Sequence, residues 1–268
     1  MRTIYQPLAL VALFSVAACS GAGSSNSAVP TGSSGQSAAQ SQSRVLQNHN
    51  KPPAGGFTLF GDGVLVHPGH NSPTGVDAST NGSSTYGGVD FGAPVATFHD
   101  LTNLSTDVRL VSGANSCAFG SPRFDVGVTN GTASGDLFVT IPCDTVPVGT
   151  WSNSGNVFNC TDPLNGAPTC IFPSGGICGS SVPICYQGMT YAQAEGFYGS
   201  YTVTDIAIFV DPSNGAEDVQ FDNTAINNLL FTYESKDTCM DGGWQQFTSP
   251  PGPFKNQGDC VSYFNNGK

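Results

Sequence analysis

Residues Arg123–Val128 read RFDVGV, a stretch in which Phe124, Val126 and Val128 alternate with Arg123, Asp125 and Gly127. Successive side chains of a strand point to opposite faces, so this stretch reads as a half-buried antiparallel strand with one apolar and one polar side. Short runs of the same kind recur along the chain as FTLF, GVLV, VATFHD, DVRLV, DLFVTI, VTDIAIFV, EDVQF and LLFTY, separated by Gly, Asn, Pro and Ser. With almost no helical periodicity, they predict an all-β fold, an antiparallel β-sandwich of jelly-roll-like layout over residues 56–235. The one helical candidate is TYAQAEGFYG, Thr190–Gly199. A turn around Asn130–Gly135 would fold SPRFDVGV and DLFVTI into a hairpin, and DPSNGAED, Asp211–Asp218, reads as a second hairpin turn.

The first 18 residues differ in kind. Arg2 precedes an apolar stretch, Pro7–Ala18, of the length of a signal-peptide core and too short for a membrane span. Residues 19–55 are a Ser, Gly and Ala tether with almost no large apolar residues, which predicts disorder. As a flexible coil, roughly 35 residues span on the order of 30 Å.

Nine cysteines are present. An exported chain meets an oxidising compartment, so Cys117, Cys143, Cys160, Cys170, Cys178, Cys185, Cys239 and Cys260 are expected as four disulfides, with about 105 connectivities open before geometry is used. Sequential pairing is the expectation: Cys117 with Cys143, Cys160 with Cys170, Cys178 with Cys185 and Cys239 with Cys260. The middle four fall in a Pro- and Gly-rich insert, residues 159–186, which they would staple. The last pair would close a tail over residues 236–268, whose Trp244, Phe247, Phe254, Tyr263 and Phe264 are expected to dock on the sandwich or on a partner. Zinc is disfavoured, because there is no C-x-x-C spacing and no histidine beyond His99.

Nineteen Asp and Glu against eight Lys and Arg make the chain acidic and disfavour a nucleic-acid partner. Charged residues are only 10% of the chain, which suits an extracellular β-protein solvated by hydroxyls and amides.

Four resemblances add to this reading. SVAAC, Ser15–Cys19, resembles the lipobox of bacterial lipoproteins, with Val16 where leucine is favoured. It implies that Cys19 carries diacylglycerol and anchors the mature chain to a membrane, in the inner or outer envelope. YGGVDFG, DLTNLST, SPRFDVGV, TYAQA, VTDIAIFVD and VQFDN occur in an order similar to a group of exported bacterial proteins. More remotely, the layout with Asp222 and Asn223 on a late strand resembles jelly-roll carbohydrate-binding modules. CMDGGWQQF followed by FKNQGDCVSYF resembles a C-terminal segment of many exported bacterial proteins.

Catalytic patterns are absent. HPGH, His67–His70, lacks the helical spacing and the glutamate of a zinc protease and reads as an exposed loop. His99 and Asp100 are adjacent in an expected strand and so point to opposite faces. No G-x-S-x-G elbow occurs. No cofactor and no metal are expected. A glycan surface needs aromatic platforms and planar polar groups, and the candidates are Tyr86, Trp151, Trp244, Tyr198 and Tyr201 with Arg109, Arg123 and Asp125. The arginines are equally readable as cross-strand partners of Asp107 or Asp125. The reading is a lipid-anchored, non-catalytic envelope protein that contacts glycan or another envelope component. The alternatives are an envelope glycan hydrolase with dispersed carboxylates and a purely structural surface protein.

Overall fold

A computed structural model describes residues 56–113, 120–143, 146–159, 170–179, 183–248 and 252–266, together with the backbone of Arg44–Val45. The signal segment, Cys19, Cys117 and Cys160 lie outside the described residues.

In chain order the strands are β1 (Arg44–Val45), β2 (Thr58–Gly61), β3 (Val64–Val66), β4 (Gly75–Asn81), β5 (Gly87–Asp90), β6 (Leu104–Gly113) and β7 (Arg123–Thr129). They continue as β8 (Ser134–Thr140), β9 (Trp151–Asn153), β10 (Ile171–Pro173), β11 (Thr202–Val210), β12 (Ala216–Ile226) and β13 (Leu229–Thr232). Two helices, α1 (Tyr191–Tyr198) and α2 (Gln257–Asn266), complete the described elements besides short 3-10 turns. Neither helix is long and apolar enough to cross a membrane.

The strands form two antiparallel sheets, as the alternating runs predict. One has six strands in the order β10-β8-β7-β11-β5-β2. The other has seven and is organised by β12, which pairs β6 along one side and shares its other side between β4, from Ala216 to Phe221, and β13, from Thr224 to Ile226. β9 extends this sheet beyond β6.

The core lies between the sheets and is filled by the apolar phase of each strand. Phe124, Val126 and Val128 of β7, Leu137 and Val139 of β8, and Ile206, Ile208 and Val210 of β11 come from the six-stranded sheet. Val76 and Ala78 of β4, Leu104, Val108 and Leu110 of β6, and Val219, Phe221 and Ile226 of β12 face them. Burial at about 25 cal/mol per Å² of apolar surface is what holds the layers together.

Some local expectations change. The hairpin of β7 and β8 forms in full register, Arg123 opposite Thr140 through Thr129 opposite Ser134. Asp211–Asp218 is not a hairpin turn, because it carries the chain from β11 in one sheet to β12 in the other. His99 and Asp100 lie in a 3-10 turn, Phe98–Asp100, since Thr97 Oγ1 and backbone N–H both donate to Asp100 Oδ2 and fold the backbone there. Within the cysteine-rich insert, Ile171–Pro173 is a strand that pairs β8, because Ile171 can reach the core.

Cys178 pairs with Cys185 and Cys239 with Cys260, as sequential pairing anticipated. Cys143 and Cys170 are also disulfide-bonded. The tail differs from expectation. Its aromatics build a core of their own, in which Cys260 and Phe264 of α2 meet Cys239 and Phe247, while the tail meets the sandwich through Thr248 N–H, which donates to the Asn71 carbonyl at 3.3 Å. Trp244, Phe254 and Tyr263 pack around it.

Candidate functional site

The polar phase of the six-stranded sheet points away from the core. In β7 it consists of Arg123, Asp125 and Gly127, and cross-strand register aligns the neighbours in rows. Arg123 lies opposite Phe209 of β11 on one side and Thr140 of β8 on the other. Phe209 lies opposite Gly88 of β5, and Gly88 opposite Phe60 of β2. In the next row Phe138, Asp125, Ala207, Asp90 and Thr58 follow one another across β8, β7, β11, β5 and β2. Asp136, Gly127 and Asp205 make the third.

Aromatic rings flank the middle of this face. The guanidinium carbon of Arg123 sits 4.3 Å from the centre of the Phe138 ring and 4.8 Å from that of Phe209. A cation held over ring faces in this way is attracted by their quadrupoles. Tyr86 stacks on Phe209 with centroids 5.5 Å apart and planes 20° apart, and Phe60 stacks on Phe209 at 5.6 Å. At the other end Tyr186 stacks on Phe138 at 6.4 Å and is 67% exposed. From β2 to β8 the face crosses four strand spacings, about 19 Å.

Small residues keep the floor low. A side chain at Gly88 would strike the Phe60 ring, and one at Gly127 would strike the Asp205 carboxylate, so both groups lie down over the neighbouring strand. The floor is acidic. Asp125 is 5% exposed and its Oδ1 has no hydrogen-bond partner among the described residues. Burial pushes its carboxyl well above the ordinary aspartate range, and the charge of Asp136 adds to the effect. Burial also raises Asp136, with Asp205 contributing, and raises Asp90 against an opposing hydrogen bond from the Gly92 N–H. Loss of water around an ionised carboxylate is the common cause. The Arg123 charge opposes this rise at Asp125 and Asp136 without cancelling it, and its Nη1 donates to Asp211 Oδ2 at 2.7 Å, while its Nε is unpartnered among the described residues.

Of the residues singled out in the sequence, Tyr86, Arg123 and Asp125 are thus brought to one face. The others are elsewhere. Arg109 lies on the outer side of the seven-stranded sheet, opposite Gln220 and Trp151, and its Nη1 donates to Gln220 Oε1 at 3.3 Å. Neither arginine takes Asp107 or Asp125 as its hydrogen-bonded partner. Trp151 stacks on His70 at 5.2 Å with planes 13° apart. Trp244 belongs to the tail. Tyr198 is 1% exposed with its hydroxyl directed at the Ile177 carbonyl, so it cannot be a platform, and Tyr201 packs against it.

The HPGH loop is not simply exposed. His70 N–H donates to Asp222 Oδ2 at 2.7 Å, and its Nδ1 lies 2.9 Å from Asp107 Oδ2. Ser72 Oγ donates to Asp222 Oδ2 at 2.6 Å. These bonds pin the loop to β6 and β12, which is the structural role of the Asp222–Asn223 pair. Among the described residues no group of three or more His, Cys, Asp or Glu is placed to hold a metal ion.

Phe138, Phe209, Asp90, Asp136 and Asp205 were not singled out from the sequence. Their signal was there in the phase of SGDLFVT and TDIAIFV, where Asp136, Phe138, Asp205 and Phe209 occupy outward positions.

No family model and no curated protein matches the chain. Among solved structures it is similar to the carbohydrate-binding module CtCBM11 studied in solution, at 14% identity over 73% of this chain and 98% of that one, with a TM-score of 0.37. A family 11 carbohydrate-binding module from Clostridium thermocellum, in complex with a β-1,3-1,4-mixed-linked tetrasaccharide, matches at 13% identity over 71% of this chain and 95% of that one, with a TM-score of 0.35. An exo-β-agarase matches at 15% identity over 69% of this chain and 25% of that one, with a TM-score of 0.34. Likeness at this level carries no argument about ligands.

Proposed function

We propose that the outer face of the six-stranded sheet binds glycan, and that the protein is a non-catalytic envelope lipoprotein held by a lipid on Cys19 with residues 19–55 as its tether. The observation that carries this reading is the run of rings, Tyr86, Phe209, Phe138 and Tyr186, interrupted by Arg123 and Asp125 on one face. Pyranose rings present apolar faces to aromatic side chains and hydroxyls to planar polar groups, so a surface that alternates the two is suited to a sugar chain. The test is a glycan array with the full chain purified in detergent. Binding to a defined glycan that is weakened in Tyr186→Ala, whose ring is 67% exposed, supports the reading, and silence across the array sinks it.

The crowding of Asp90, Asp125 and Asp136, whose carboxyls are all raised by burial, favours a second reading, a glycan hydrolase, because paired carboxylates with displaced proton affinities are what glycoside cleavage requires. Release of reducing ends that disappears in Asp125→Asn would promote it.

A further inference from the structure

We infer that the face is selective for sugars bearing a positive charge, an unacetylated amino sugar, over neutral sugars and most strongly over uronates; the inference rests on the glycan reading above. Four carboxylates, Asp90, Asp125, Asp136 and Asp205, share two adjacent rows of the face, whereas Arg123 is its one cation among the described residues and is already paired with Asp211. Lys236 and Lys255, the described lysines, lie outside both sheets. One arginine, shared with Asp211, thus stands against four carboxylates, and among the described residues no second cation balances the excess negative charge of the face.

Asp125 shows where that charge is directed. The alternation of β7 turns it to the side away from the core, the residue is only 5% exposed, and Oδ1 still lacks a donor among the described residues. A buried acceptor without a donor is costly, and it is relieved by any ligand that supplies N–H or O–H at that point. An ammonium group supplies three N–H donors and a compensating charge together. The carboxylates are spread over rows rather than gathered around one point, and no metal-holding group forms among the described residues, which suits a charge delivered on an extended ligand. Burial and mutual repulsion raise Asp125 and Asp136, and a nearby cation would reverse that penalty.

The experiment compares three tetramers by calorimetric titration of the full chain in detergent: β-1,4-glucosamine, cellotetraose, which has the same backbone with a hydroxyl in place of each ammonium, and tetragalacturonate. The expected result is at least tenfold tighter binding of the glucosamine tetramer than of cellotetraose, and no measurable binding of the uronate. In Asp125→Asn with Asp136→Asn the ratio should fall to within threefold of one, and Asp90→Asn serves if that variant does not fold. Asp62→Asn, at an exposed turn, removes one carboxylate from outside these rows and should leave the ratio unchanged. Equal affinity for the two tetramers, or a preference that Asp62→Asn reduces as much as Asp125→Asn, overturns the selectivity but leaves glycan binding standing. A glycan found on the array that is neutral, with no binding of the glucosamine tetramer, does the same. Silence of all three tetramers and of the array removes the glycan reading and the selectivity with it.

Discussion

Arg123 and Asp211 form an ion pair at 2.7 Å with side chains only 7% and 13% exposed. The pair joins the start of β7 to the end of β11, and Arg123 also donates to the Gly120 carbonyl. It fixes the face's cation in place and holds it over two rings. Arg123→Ala should therefore cost about 3–5 kcal/mol, because Asp211 is left charged and buried. Arg123→Lys should not recover the loss, since an ammonium lacks the planar fork and the flat stacking surface. Urea denaturation of the two variants checks both statements.

Tyr186 separates binding from folding. It is 67% exposed and stacks on Phe138 at the end of the face. Tyr186→Ala should change stability by less than about 1 kcal/mol yet weaken glycan affinity several-fold. Phe209→Ala, by contrast, should lower both, because that ring is buried beneath Phe60, Tyr86 and Arg123.

Glu217 gives a pH signature. Burial raises its carboxyl from 4.5 to about 7, against an opposing hydrogen bond from Ser121 Oγ. Its folded proton affinity exceeds the unfolded one, so between about pH 4.5 and 7 the native state holds more protons and stability falls as pH rises. The loss across that window is at most about 3 kcal/mol. Glu217→Gln should flatten the pH dependence of the urea midpoint over this range; an unchanged slope would refute the assignment.

Asp222 anchors the His67–Thr74 loop. Asp222→Ala would strand the His70 N–H, Ser72 Oγ and Asn223 N–H that now donate to it. A loss of about 2–4 kcal/mol is expected from such orphaned donors, together with faster amide exchange at His70, measured by hydrogen–deuterium exchange.

The tail should melt on its own. Cys260→Ala opens the loop closed by Cys239, which spans a sequence separation of 21, and should cost about 3 kcal/mol locally. Because Phe247 and Phe264 pack with each other and not with the main core, calorimetry should show a lowered tail transition and an unmoved sandwich transition.

The sandwich was legible because period-two alternation marks a strand and its buried side at once, as in Phe124, Val126 and Val128. Neighbours were not, since nothing local in VTDIAIFV says that Phe209 lies beside Arg123. That adjacency follows from the order of strands in the sheet, which is a long-range outcome. The same limit let Tyr198 pass as a platform: a tyrosine on a two-turn helix offers no phase to distinguish core from surface until the sheet beneath it is known. Helix α2 escaped notice because QGDCVSYFNN is poor in strong helix formers, and its helicity is supported by the disulfide and the aromatic cluster.

The covalent tie between Cys239 and Cys260 also governs what a protease can accomplish in the tail. One cut between them severs the backbone but frees nothing, so the nicked molecule migrates as intact on a non-reducing gel and comes apart into two pieces once a thiol is added. Clipping at this end of the protein would therefore escape any assay run without reductant.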